Sequence, residues 1–111
     1  MYTRFIYVPK TAENIKKDFF GDESAELEKW ILSDYEFSAL WNNKVFKYLN
    51  EKFDVMIDSF EDDYILYQYL YFDYEELVEE LNKFRCKNEI RMFIKMIDKA
   101  IENRTLIGFF L

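Results

Sequence analysis

Histidine is absent from this 111-residue chain, and cysteine, proline and glycine are scarce: one Cys, one Pro and two Gly. Each shortage excludes something. Without His, the chain lacks the commonest general base and metal ligand, and the His that di-iron carboxylate bundles use. With Cys86 alone, no intrachain disulfide can form, so the stapled scaffold of small secreted domains is ruled out and a reducing, cytoplasmic setting is expected. So few Gly and Pro leave little material for tight hairpins, which argues against a many-stranded sandwich or barrel. The apolar run from Tyr2 to Val8 is interrupted by Arg4 and closed by Pro9 and Lys10. It supplies neither a signal-peptide core nor a membrane span.

The most informative absence is local. Between Phe53 and Asn82 there is no Lys or Arg, while the same thirty residues hold ten acids and eight Phe or Tyr. The acids are Asp54, Asp58, Glu61, Asp62, Asp63, Asp73, Glu75, Glu76, Glu79 and Glu80. The net charge of −7 is therefore unevenly spread: residues 22 to 82 carry 17 acids and 4 bases, whereas residues 83 to 111 carry 7 bases and 3 acids. Phosphate binding runs on Lys and Arg, so the middle of the chain is not a nucleic-acid surface. Aromatics make up 21% of the chain, more than a small core needs, which leaves rings for a contact surface. The length fits one domain, residues 1 to 111.

Candidate chemistries fail on their residue requirements. Arg85 and Lys87 beside Cys86 would favour its thiolate, but with no His to pair with it an ordinary buried cysteine is the better reading. The acids around Asp54 to Asp63 suggest a calcium loop, yet an EF-hand needs a central Gly and a spaced Glu, and no Gly occurs between Gly21 and Gly108. Paired carboxylates would serve a glycosidase only with a substrate cleft that nothing here supplies. No enzymatic activity, cofactor or metal is expected.

Periodicity predicts mostly helix. Thr3 to Val8 alternates weakly as a short strand ended by Pro9. Thr11 caps a short helix carrying Ile15, Phe19 and Phe20 and closed by Gly21. Asp22 or Ser24 caps a second, with Leu27, Trp30 and Ile31 at helical spacing. Ser33 and Glu36 form a capping box that opens a helix through Trp41, broken at Asn42 and Asn43. Val45, Phe46, Tyr48, Leu49 and Phe53 mark another amphipathic helix. Tyr64 to Phe72 reads as helix through Leu66, Leu70, Tyr74, Leu77, Leu81 and Phe84, although Tyr67, Tyr69 and Tyr71 alternate as in a strand, and Asp73 with Glu76 offers instead the cap of a fresh helix. Ile90, Phe93, Ile94, Ile97 and Ile101 stripe the last helix, with Arg91, Lys95 and Lys99 on its polar side. The tail from Thr105 to Leu111 is β-capable. The expected fold is mainly α, a compact bundle of about five helices, with the N-terminal strand placed to pair the C-terminal tail.

The acidic stretch has a bland reading, a solvated face balanced by the basic stripe of a packed neighbour. Two details favour a binding surface. Glu75 with Glu79 and Glu76 with Glu80 are like-charge pairs at i, i+4, each costing roughly 0.2 to 0.5 kcal/mol in a helix, and only Glu79 has a base, Lys83, at the favourable offset. Tyr is also a preferred interface anchor, and here it is dense beside the acids.

In small size, single Cys, and acids Glu61, Asp62, Asp63, Glu75, Glu76, Glu79 and Glu80 interleaved with Tyr64, Tyr67, Tyr71 and Tyr74, the chain resembles the small immunity proteins of bacterial toxin systems. The likeness is one of character; no family motif is matched, and no functional residue is carried over. It implies one-to-one binding to a cognate toxin, often a nuclease with a basic active site, which the acidic surface would occlude. The candidate partner-binding residues are Asp58, Glu61, Asp62, Asp63, Glu75, Glu76, Glu79 and Glu80 for steering, and Tyr64, Tyr67, Tyr71 and Tyr74 for anchoring. Two alternatives stay open: a phage-type nucleic-acid-mimicking inhibitor of a defence nuclease, and a homodimer or complex subunit joined through Arg91, Lys95 and Lys99.

Replacing Ile94 or Ile97 by Asp would bury an unpaired charge in the last helix's apolar stripe and is expected to unfold the domain, as a thermal melt would report.

Overall fold

The computed structural model describes residues 3–12, 26–58 and 62–111. Four strands form one antiparallel sheet: β1 (Arg4–Pro9), β2 (Leu27–Leu32), β3 (Asp62–Leu66) and β4 (Leu106–Phe110), in the order β2-β1-β4-β3. Five helices accompany them among the described residues: α1 (Asp34–Asn42), α2 (Val45–Phe53), α3 (Tyr67–Phe72), α4 (Tyr74–Leu81) and α5 (Lys87–Asn103). The expectation of a mainly helical bundle is therefore corrected to a mixed fold, with helices packed on a four-stranded sheet. The predicted helix over Ile15, Phe19 and Phe20, and the Asp22 and Ser24 caps, lie outside the described residues.

The second correction concerns Leu27, Trp30 and Ile31. Their spacing suits a helix, yet the segment is β2, registered on β1 from Arg4↔Leu32 to Pro9↔Leu27. In the strand Trp30 and Leu32 point inward while Ile31 is 63% exposed, a period of two that the short window also allows. Hydrogen-bonded pairing with β1 decides between the two periods, because it supplies the backbone partners a short, weakly nucleated helix would otherwise have to supply itself.

One sheet face carries Ile6, Val8, Trp30, Leu32, Ile65, Ile107 and Phe109, all buried in the main core. Across it lies α5, whose Ile90, Phe93, Met96, Ile97 and Ala100 are buried at helical spacing. Phe93 stacks on Phe109 with ring centroids 6.0 Å apart, and Phe46 of α2 meets Phe109 edge-on at 6.1 Å. Burying such a side chain contributes about 1.5–3 kcal/mol, and these three rings join the sheet, α2 and α5 in one core. Ile97 is fully buried, whereas Ile94 is only partly covered.

Local signals account for the helix boundaries. Ser33 accepts from the Glu36 amide at 3.1 Å while Glu36 accepts from the Ser33 amide at 2.9 Å, and the other Glu36 oxygen accepts from Trp30 Nε1 at 3.2 Å. That capping box both starts α1 and ties it to β2. Lys44, Asp54 and Arg104 take left-handed backbone at helix ends, where glycine is usual. After Arg104 the chain reverses into β4, and Thr105 Oγ1 and Asn103 Nδ2 both donate to the Pro9 carbonyl, at 2.8 and 3.3 Å.

On the other sheet face Tyr7 sits directly across from Gly108 in the β1–β4 register. A Cβ at Gly108 would lie 2.1 Å from Tyr7 Cζ, so the ring occupies the space a side chain would fill. Gly108→Ala is expected to destabilise the fold by about 1–3 kcal/mol in urea unfolding, and by less in a Tyr7→Val background, where the collision is gone.

Candidate functional site

The run from Tyr64 to Phe72 is divided between two elements. Tyr64 to Leu66 complete β3, and Tyr67 begins α3, its amide donating to the Thr105 carbonyl at 3.0 Å. The helical reading of this run is thus correct for its second half only. In α3 only Leu70 is buried. Asp73, at φ −108° and ψ 23°, interrupts helical backbone between α3 and α4, and the turn throws the neighbouring rings outward. Phe72 is 86% exposed, Tyr71 70% and Tyr69 61%. Apolar surface this exposed contributes little to the core.

Three shallow hollows surround these rings. Lys52, Phe53, Asp54, Gln68, Tyr69, Phe72 and Asp73 line one of about 570 Å³. Tyr71, Phe72, Asp73, Tyr74, Glu75 and Glu76 line another of about 600 Å³, and Tyr71, Tyr74, Asp98, Ile101 and Glu102 a third of about 280 Å³. Phe72 is the ridge between the first two and Tyr71 is shared by the last two. Every hollow therefore has an aromatic wall and carboxylates beside it.

Of the sequence-predicted residues, the structure brings Tyr71, Tyr74, Glu75 and Glu76 together here. Glu79 is exposed farther along α4, and Glu80 accepts from Lys83 Nζ at 2.7 Å, so Lys83 pairs with Glu80 and not with Glu79 as the offset suggested. Tyr64 lies on β3, on the sheet face opposite the main core, and Tyr67 is half-buried. Asp63 is engaged internally, accepting from the amides of Met56 at 2.7 Å and Tyr64 at 2.8 Å. Together with Asn50, which exchanges hydrogen bonds of 3.0 and 2.7 Å with the backbone of Ile57, it holds the segment after α2. Asp58 is exposed in that segment, Asp62 is in β3, and Glu61 lies outside the described residues.

Sequence reasoning named Phe72, Tyr69, Asp54 and Asp73 without counting them among the partner-binding candidates, and passed over Lys52. Their signal was present in the juxtaposition of an aromatic run with an acid that can end a helix. What it lacked was the fold of α2 against α4. Lys52 Nζ reaches Asp73 at 3.7 Å and Glu76 at 3.4 Å and lies 5.8 Å from the Phe53 ring centre. Among the described residues, the ion pairs of α4 go to Lys52 and Lys83; none goes to Arg91, Lys95 or Lys99, which stay exposed on α5.

The carboxylates also act on nearby phenols. Burial, followed by the charges of Glu80, Glu76 and Asp73, pushes Tyr48 up to about 12, and its shielded hydroxyl has no hydrogen-bond partner among the described residues. Tyr74 is likewise pushed up to about 12, chiefly by donating to Asp98 at 2.5 Å and then by burial. Cys86 is buried, and that burial raises its thiol against the opposing pull of its own backbone N–H and Lys87. Among the described residues no cluster of acids and Cys could hold a metal ion, and no helix is long and apolar enough to cross a membrane. In comparisons with protein-family models, curated proteins and solved structures, nothing matches this chain.

The raised phenols set an alkaline limit. Below pH 10 folded and unfolded chains both keep these protons; from there to about 12 only the unfolded chain releases them, so stability falls as pH rises. A phenolate absorbance titration is expected to show two late tyrosines, one lost in Tyr48→Phe and one in Tyr74→Phe. Because Tyr48→Phe also removes an unpartnered hydroxyl, it is expected to raise stability at neutral pH by about 1 kcal/mol.

Proposed function

We propose that this protein is an immunity-type inhibitor that binds a basic protein, a toxin or nuclease, through the α3–α4 corner and blocks it by occlusion. The observation that carries this reading is the exposure of Phe72, Tyr71 and Tyr69 on a ridge bordered by Asp54, Asp73, Glu75 and Glu76. Exposed rings bordered by an excess of negative charge have the composition of an interface centre with a steering rim. The acids attract a cationic surface over several ångströms and speed encounter, while the rings, once covered, slow dissociation. The resemblance in character to toxin-immunity proteins supports the same reading, as does the local excess of carboxylates over internal cations.

A second copy of the chain is the competing occupant, since Lys87, Arg91 and Lys95 border a hollow on α5 of opposite charge. Salt-sensitive self-association in sedimentation would favour that arrangement.

The test begins with capture of a partner from the native host at low and moderate salt, followed by binding kinetics with the captured protein. Reversing Glu75, Glu76, Glu79 and Glu80 to Lys is expected to slow association with little change in fold. Phe72→Ala is expected to cost about 2 kcal/mol of affinity, mostly in dissociation, while melting within about 0.5 kcal/mol of wild type. A variant set that binds the partner at wild-type rates would sink the proposal.

A further inference from the structure

We infer that the α3–α4 corner recognises arginine side chains in particular, and that Lys52 is a built-in competitor for the carboxylates those arginines would take. This rests on the corner being the partner site. The chain's own cations already use such a pairing. Arg4 lies with its guanidinium carbon 4.3 Å from the Phe37 ring centre while Nη1 reaches Asp34 at 3.5 Å, a ring face and a carboxylate sharing one cation. Lys52 repeats the pattern more loosely, 5.8 Å from the Phe53 ring centre and within 3.7 and 3.4 Å of Asp73 and Glu76.

The hollows beside Phe72 and Tyr71 offer the same pairing to solvent. Phe72 with Asp54 and Asp73, Phe72 with Glu75 and Glu76, and Tyr71 with Asp98 and Glu102 each set a ring beside carboxylates. A planar guanidinium satisfies both groups at once, stacking on the ring and donating in its plane to the acid, whereas an ammonium is a compact point charge that keeps more of its water. Charge complementarity alone would take lysine and arginine equally; the exposed rings are what separate them. Lys52 has a side chain only 14% exposed and already spans two of these acids, so it lowers the charge a partner meets in the first hollow.

The test is calorimetric titration at low salt with oligo-arginine and oligo-lysine peptides of equal length. The wild-type protein is expected to bind oligo-arginine at least about threefold more tightly, the scale of one modest cation–π contact. Phe72→Ala is expected to remove most of that preference, Glu75→Lys with Glu76→Lys to weaken both peptides, and Lys52→Gln to tighten both. Equal affinities, or a preference that survives Phe72→Ala, would overturn the arginine inference and leave a basic partner at this corner intact. Unchanged affinities in Lys52→Gln would overturn the competitor role. If neither peptide responds to Glu75→Lys with Glu76→Lys, the corner is not the cationic site, and the partner-binding reading falls with the inference.

Discussion

The pairing of β1 with β4 is the contact on which the rest of the structure depends. It sets Ile6 opposite Phe109, and Phe109 is the ring that Phe93 and Phe46 both meet. Through that residue the sheet, α5 and α2 share one core. The same pairing places Tyr7 over Gly108 on the far face, so a single register satisfies both sides of the sheet. A slip of one residue would put Ile6 and Phe109 on opposite faces of the sheet and move Tyr7 off Gly108, so the register is strongly specified.

The charge distribution follows a different logic from the core. Helix α4 buries Leu77 and Leu81 and sends its acids outward, where Lys52 and Lys83 neutralise only some of them. The cost of the unneutralised remainder is modest on a solvated surface, because water and salt screen it. Burial, reinforced by Glu80, Glu76 and Asp73, holds Tyr48 protonated well past its usual range, and the hydrogen bond to Asp98 of α5, reinforced by burial, does the same for Tyr74. Both phenols make the fold sensitive to base. At the corner those acids stand beside exposed rings, a combination suited to a cationic protein side chain and unsuited to phosphate.

Much of the helical structure was legible. The Ser33 and Glu36 box, the break at Asn42 and Asn43, and the apolar stripe of α5 are local signals, settled within a turn or two of chain. β2 was not legible, because Leu27, Trp30 and Ile31 fit both periods and only the partner strand distinguishes them. The run from Tyr64 to Phe72 divides at Leu66 for the same reason: its first residues have β4 beside them and its later ones do not. For the candidate site, the acidic and aromatic composition pointed to the stretch of chain that forms the α3–α4 corner. It did not separate Asp63, which ties down backbone amides, from Glu75 and Glu76, which border the exposed rings.

By itself the sequence determined which residues are apolar and at what local spacing, where helices are capped, and that residues 53 to 82 carry acids without bases. These are properties of composition and of near neighbours. Tertiary structure alone decided that the fold is a helix-covered antiparallel sheet, that Lys52 lies against Asp73 and Glu76, and that Phe72 is left outside. Each of those outcomes joins or separates residues far apart in the chain. Their energies depend on which backbone edges and side chains meet, and a local pattern does not contain that information.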